Sequence, residues 1–344
     1  MDYEVEVLPG LKPFALDELR RRFGAAIHID PLGEEDSIRF RYRGNERSLL
    51  DLRTVVAVYR VERFAIPRPR ALLGHAHFTR LMRDVDAVRR LHPPGAFRTF
   101  RVSAAGSDSA VFRRFRTEIG TQSGLADDPE AGDLLLRVRP SAQGGWEVLM
   151  RLSPRPLSAR TWRVCDMPGA LNATIAAAMV EWTRPAPRDR FLNLMCGSGT
   201  LLIERLLRCP AEQAVGCDID QAALACAEEN LAAANLSDAA RLFCMDATRL
   251  DFPACSFNAL AADLPWGQLV GSREEIESLY PAVLTEAARV ALPGAPLVII
   301  THAVRLFDRL LPPMGHLWRV ERTQRVFQGG QHPRIYLLRR AREV

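Results

Sequence analysis

Lysine is almost missing from this chain. Of 46 basic residues, all but Lys12 are arginine. Arginine carries a planar fork that matches phosphate and guanine edges, so a basic surface built from it suits polyanions. Cysteine is absent before Cys165, and there is no C-x-x-C pair or His/Cys knuckle, so a structural zinc site is not expected. The seven cysteines are Cys165, Cys196, Cys209, Cys217, Cys226, Cys244 and Cys255. Their odd number and mostly apolar neighbours read as small buried hydrophobes in a reducing compartment. No apolar run approaches the roughly 18–20 residues of a membrane helix, which excludes a helical spanning protein. The first residues, MDYEVEVLPG, lack the basic and apolar stretches of a signal peptide, so a cytoplasmic address is expected. Internal repeats and low-complexity segments are also missing. A composition 48% hydrophobic and 25% charged excludes disorder of the whole chain.

A length of 344 residues suggests two domains or three small ones. The net charge of +5 is uneven. Residues 1–165 hold 28 basic and 21 acidic residues, and residues 166–344 hold 18 and 20. A basic first half beside a near-neutral second half suits a polyanion-binding module attached to another function, although a solvated surface tolerates the same excess.

Residues 1–65 read as a small α+β unit: strand YEVEV, helix KPFALDELRRRFG, alternating strand SIRFRYRG, then a helix running into a strand. Residues 66–155 read as a second α+β unit. It has a helical FTRLMRDVDAVRRL, a strand FRTFRVSA, a helix capped by Ser107 or Asp108, and a hairpin of DLLLRVRP and WEVLMRLS. Residues 156–185 form an arginine-bearing connector and an alanine-rich helix. From residue 186 to 344 strands and helices alternate and end in two adjacent strands. That order predicts an α/β fold, a doubly wound, mostly parallel sheet with an antiparallel C-terminal hairpin.

In FLNLMCGSGTLLIERLL a strand meets a glycine loop and a helix. Gly197 and Gly199 let the backbone approach a ligand, and Thr200 opens a helix whose free N–H groups favour negative charge. Leu202 stands where a dinucleotide fingerprint needs a small residue, which disfavours a nicotinamide dehydrogenase, and no P-loop is present. The next strand ends in GCDID. Asp218 is placed to bond the hydroxyls of a ribose, and Asp220 to cap the following helix. The third strand ends in CMDAT, with Asp246 where an adenine amino group would sit. Each acid alone reads equally well as a cap or turn residue. Together they lie at the carboxyl ends of successive strands, the crevice where such sheets bind ligands.

The fourth strand runs into DLPWG. An exocyclic amine on a nucleobase is a poor nucleophile, because its lone pair is delocalised into the ring. A carboxylate and a backbone carbonyl, those of Asp263 and Leu264, can accept its two N–H groups, orient the lone pair and stabilise developing positive charge. Pro265 stiffens the turn, and Trp266 offers a face for base stacking.

These segments resemble the class I S-adenosylmethionine-dependent methyltransferases. The chain as a whole resembles the THUMP-domain RNA guanine-N2 methyltransferases of the Trm14/TrmN type, which modify tRNA. LMCGSGT, CDID, MDA and DLPWG match the methionine-loop, ribose, adenine and amino-methyltransferase motifs. FRTFRVSA…DLLLRVRP…LSARTWRV resembles a THUMP domain, and PGALNATIAAAM the helix placed against the methionine end of the cofactor.

The resemblance implies a ferredoxin-like domain (1–65), a THUMP RNA-binding domain (66–155), a linker with its helix (156–185) and a Rossmann-like methyltransferase domain (186–344). It implies S-adenosylmethionine bound by Asn193, Cys196, Gly197, Gly199, Thr200, Asp218, Ile219, Asp246 and Ala247. Catalysis falls to Asp263, Leu264, Pro265 and Trp266, and no metal is expected. The family usually has an acid where Asn193 stands. The expected reaction is N2-methylation of a tRNA guanosine, most similar to position 6 of the acceptor stem, by a monomer; that paired base must leave the helix. RNA contacts are expected from Arg98, Arg101, Arg113, Arg114, Arg116, Arg155, Arg160 and Arg163. Position 10 of tRNA, a ribosomal guanosine, an adenine and a non-catalytic RNA-binding role are the alternatives.

Overall fold

Strand periodicity separates two kinds of sheet in this chain. Segments such as SIRFRY alternate buried and exposed positions, as half-solvated strands do, whereas PLVIIT is buried at every position, as a central parallel strand must be. The computed structural model describes residues 1–31, 34–265 and 273–342. It divides into one unit of residues 1–7 and 15–158 and another of residues 8–14 and 159–344.

The first unit carries, in chain order, β1 (Asp2–Glu6), α1 (Lys12–Phe23, whose first turn belongs to the second unit), β2 (Ile27–Ile29), β3 (Ser37–Tyr42) and β4 (Ala57–Phe64). Then follow α2 (His75–Arg89), β5 (Thr99–Ala104), α3 (Ala110–Ser123), β6 (Ala126–Asp127), β7 (Leu134–Pro140) and β8 (Trp146–Arg151). Its strands form one sheet in the order β2-β3-β1-β4-β8-β7-β5-β6. The segments 1–65 and 66–155 therefore share a sheet, joined where β4 pairs antiparallel with β8. The cap of α3 is Ser109, not Ser107 or Asp108; its hydroxyl accepts from the Phe112 N–H. Part of the arginine surplus is tied up on the sheet. Arg39 donates to Glu4 at 2.8 Å and Arg139 to Glu147 at 2.7 Å, and both acids are buried.

The second unit holds α4 (Ala173–Thr183), β9 (Arg190–Leu194), α5 (Thr200–Arg208), β10 (Gln213–Asp218), α6 (Gln221–Ala233) and β11 (Arg241–Cys244). It continues with β12 (Ala259–Asp263), α7 (Arg273–Val290), β13 (Pro296–Thr301), α8 (Val304–Leu310), β14 (Trp318–Arg325) and β15 (Arg334–Arg340). The sheet order is β11-β10-β9-β12-β13-β15-β14. The first five strands run parallel, and β15 turns antiparallel against β13 and β14. This is the expected Rossmann-like architecture. The chain leaves β9 toward β10 on one side and later returns through β12 on the other, so the switch point lies at the carboxyl end of β9.

One expectation fails at the cysteines. Cys165 and Cys226 form a disulfide, and Cys244 and Cys255 are exposed rather than buried. Fold topology brings Cys165, ahead of α4, against α6, a juxtaposition that spacing alone does not reveal. Among the described residues no helix is long and apolar enough to cross a membrane.

Candidate active site

After β9 the chain must turn sharply to start α5, and it does so through three left-handed residues: Met195 (φ 50°), Gly197 (φ 52°) and Gly199 (φ 80°). At Gly199 space is also tight, because a Cβ there would lie 3.1 Å from the Cβ of Ala227 on α6. The turn is pinned from β10. Cys196 N–H donates to the Cys217 carbonyl at 2.9 Å, and Gly197 N–H donates to Asp218 Oδ2 at 2.8 Å. Asp218 Oδ1 accepts the Asp220 N–H, and Asp220 in turn caps α6 through the Ala222 N–H, as the sequence predicts.

A cavity of about 250 Å³ opens at this switch point. Asn193, Cys196, Gly197, Thr200, Asp218, Ile219, Asp263, Leu264 and Pro265 all line it. The segment from Met167 to Leu171, which leads into α4, forms another wall. Ile219 is 68% exposed, an apolar side chain at the rim with nothing packed over it. Asn193 is fully buried. Its Nδ2 donates to the Leu194 and Ala261 carbonyls at 3.2 and 3.3 Å, which fixes the orientation of the amide. Its Oδ1 is left buried without a partner. A buried acceptor that nothing satisfies costs about 1–3 kcal/mol, so this atom awaits a donor.

Asp263 ends β12 and has no hydrogen-bond partner among the described residues. Burial alone pushes its carboxyl up from 3.8 to about 7. The turn beyond it is anchored. Leu264 N–H donates to the Ile300 carbonyl at 3.0 Å. Buried Tyr280 donates its hydroxyl to the Pro265 carbonyl, so Thr301, 2.9 Å away, must donate to Tyr280, while Thr301 itself accepts the Ala303 N–H. Burial pushes the Tyr280 phenol up to about 12, so this proton stays in place at neutral pH. Tyr280 and Thr301 carry no motif in the sequence, because only the packing of α7 on β13 brings them to the turn.

Other expected residues lie elsewhere. Asp246 is exposed and closes its own turn, accepting the Thr248 N–H and hydroxyl at 2.8 Å. Ala247 packs in the core, and neither residue is among those lining the cavity. Gly199 is not among the cavity-lining residues either. Trp266 falls outside the described residues. Arg160 does not face solvent: its guanidinium meets Glu204, which has no exposed surface, at 2.8 Å. Arg163 stitches the connector to the glycine loop by donating to the Leu171 carbonyl and the Thr200 hydroxyl. Arg101 donates to the Glu130 carbonyl, Arg116 pairs with Asp127 at 2.9 Å, and Arg114 lies 3.8 Å from Glu118. Arg98, Arg113 and Arg155 are exposed, with no acidic partner among the described residues. Two larger clefts, of about 980 and 790 Å³, lie along β14–β15 and at the carboxyl end of β13, but neither holds the acids of the switch point.

Residues 160–334, half of the chain, match the model of the RMKL-like methyltransferase domain, UPF0020. The chain belongs to that family. Within it, 205 residues are 31% identical to a tRNA (guanine(6)-N2)-methyltransferase of Thermus thermophilus, covering 59% of this chain and 60% of that protein. In an overlapping match of 189 residues, covering 52% of this chain, it is 28% identical to the mouse tRNA (guanine(6)-N(2))-methyltransferase THUMP3. That match spans only 37% of the mouse protein. The fold is similar over its whole length to the crystal structure of TrmN from Thermus thermophilus, with a TM-score of 0.73 and 24% identity over 98% of this chain and 99% of that one.

Proposed function

We propose that this RMKL-like methyltransferase transfers a methyl group from S-adenosylmethionine to the exocyclic N2 of a guanosine in tRNA, at position 6 of the acceptor stem. The observation that carries this reading is Asp263: a carboxyl at the tip of the fourth strand, on the wall of the switch-point cavity, with no partner among the described residues. The cavity fits the cofactor. The orphaned Asn193 Oδ1 suits an ammonium donor, the Asp218 carboxylate suits ribose hydroxyls, and exposed Ile219 suits the flat face of a base. When bound, S-adenosylmethionine supplies a sulfonium-activated methyl group.

The chain's own residues prepare the amine. The Asp263 carboxylate and the Leu264 carbonyl accept its two N–H groups and localise the lone pair on nitrogen. Tyr280 holds the turn so that this carbonyl keeps its aim. Transfer of the methyl group would break the donor's S–C bond, leave a thioether and place positive charge on N2, and Asp263 would take the proton that N2 then releases, a task suited to a carboxyl titrating at about pH 7. Trp266, outside the described residues, is assigned to base stacking from its place in the sequence motif alone. Residues 66–155 serve as a THUMP-type RNA-binding domain, with Arg98, Arg113 and Arg155 as its free cations. The names of the relatives, the family and the fold support these assignments.

The test is nucleoside mass spectrometry of tRNA incubated with the purified chain and S-adenosylmethionine, followed by mapping of the modified position. N2-methylguanosine at position 6, lost in Asp263→Ala, is expected. Absence of N2-methylguanosine, or full activity of Asp263→Ala, would end this reading.

A further inference from the structure

We infer that the cleft at the carboxyl end of β13 is a phosphodiester-binding track, which holds the RNA backbone flanking the methylated guanosine. This rests on the RNA-modifying function proposed above. Strand register fixes the place. Asp263 lies opposite Ile300 on the neighbouring strand, and His302 follows two residues later. Adjacent strands are about 4.8 Å apart, so the cleft begins one strand beyond the acceptor turn. The cofactor cavity lies on the other side of that turn, over β9 and β10. The cleft thus borders Asp263 on the side away from the cofactor cavity, within reach of the phosphates that flank a base held there.

The chemistry of the cleft fits that role. Its charged and imidazole side chains are His302, Arg305, Asp308, Arg325, His332 and Arg334, around a volume of about 790 Å³. The only acid among them is already engaged: Asp308 accepts from Arg334 and from the Tyr336 hydroxyl, each at 2.8 Å. Arg305 and Arg325 are exposed, and neither has an acidic partner among the described residues. They stand on separate elements, α8 and the end of β14, and both line the cleft. Arginine forks arranged this way match successive phosphates. Motif reading overlooks these residues, because they lie in the C-terminal half, whose net charge is slightly negative.

The experiment measures binding of the full chain to a tRNA transcript by fluorescence anisotropy, from about 50 to 200 mM salt. Each phosphate contact adds about 0.7–0.9 to the slope of log K against log salt, so Arg305→Ala with Arg325→Ala should lower it by roughly 1.4–1.8. The same pair should raise KM for tRNA and leave kcat and the calorimetric affinity for S-adenosylmethionine unchanged. Arg305→Lys with Arg325→Lys should keep the slope. The control pair Arg188→Ala with Arg241→Ala removes two other exposed arginines and should change the slope less. Equal slopes for the cleft and control pairs, in a chain that still methylates tRNA, would overturn this inference and leave the proposed function standing. A wild-type chain that does not bind the transcript would remove both.

Discussion

Replacing Asp263 with asparagine tests the electrostatics of the site apart from its chemistry. The carboxyl sits in a cavity wall without a donor among the described residues, and burial raises its pKa from 3.8 to about 7. Between those values the folded chain holds a proton that the unfolded chain has released. Stability therefore falls as pH rises through that window, and the penalty is complete above 7. At about 1.4 kcal/mol per pKa unit the full displacement amounts to about 4 kcal/mol. Residual solvent contact in the open cavity screens part of it, so about 2–4 kcal/mol is expected. Asp263→Asn is nearly isosteric and cannot ionise. It should match the wild type near pH 4 and exceed it by that amount at pH 8.5, as read from denaturant midpoints at constant m-value. In kinetics, kcat/KM of the wild type should rise with pH through a limb centred near 7, reporting the free enzyme, and the variant should lose that limb. Parallel stability curves for the two proteins across the whole range would show that Asp263 is not held in a desolvated site.

Tyr280→Phe should leave the Pro265 carbonyl without its donor, cost about 1–3 kcal/mol in chemical denaturation and lower kcat while the S-adenosylmethionine affinity is kept; unchanged kcat would mean that the anchor does not aim the turn. Arg160→Ala removes a cation from buried Glu204 and should cost about 3 kcal/mol without altering the salt slope of tRNA binding, and a changed slope with unchanged stability would restore it as an RNA contact. The Cys165–Cys226 bridge closes a span of 61 residues, so reduction should lower stability by about 4 kcal/mol on the loop-closure model; a denaturation midpoint indifferent to reductant would show that no bridge forms. Asn193→Asp should destabilise the ligand-free chain at neutral pH, because a carboxylate oxygen would replace Nδ2 against the Leu194 and Ala261 carbonyls, and a more stable variant in thermal melts would refute that orientation.

Much of the second unit can be read directly from its residues. The apolar runs of β9, β12 and β13 mark strands covered on both faces, and α5 occupies the expected Thr200–Arg208 because Gly199 can adopt φ 80° just before it. The features that escape reading depend on contacts between distant segments. Cys165 and Cys226 meet only when the chain ahead of α4 is laid on α6, where Asn230 also accepts the Val164 and Cys165 N–H groups. Tyr280 reaches Pro265 only through the packing of α7. In the first unit, local patterns give the strands, but the joining of β4 to β8 across the expected boundary is a long-range pairing that periodicity does not encode.

The strand-tip residues of the site show why motif position is weaker evidence than hydrogen-bond supply. Asp218 and Asp246 look equivalent in the sequence, each ending a strand beside a turn. Asp246 satisfies itself from Thr248, is solvent-exposed and is not among the cavity-lining residues, so its carboxylate gains little from any ligand. Asp218 accepts two backbone N–H groups, one on each oxygen, which holds the carboxylate rigidly at the cavity while each oxygen keeps a further lone pair for a hydroxyl. Among the described residues neither Asp263 nor Asn193 Oδ1 receives a donor. A buried acceptor left unsatisfied costs stability that packing must offset, so at the cavity wall Asn193 Oδ1 gains from a donor that a ligand brings. The two orphans lie on neighbouring strands, β9 and β12, on one cavity wall. On the proposed reading an ammonium group would meet Asn193 and an amine would meet Asp263, the arrangement a methyl donor and a nucleobase would bring together.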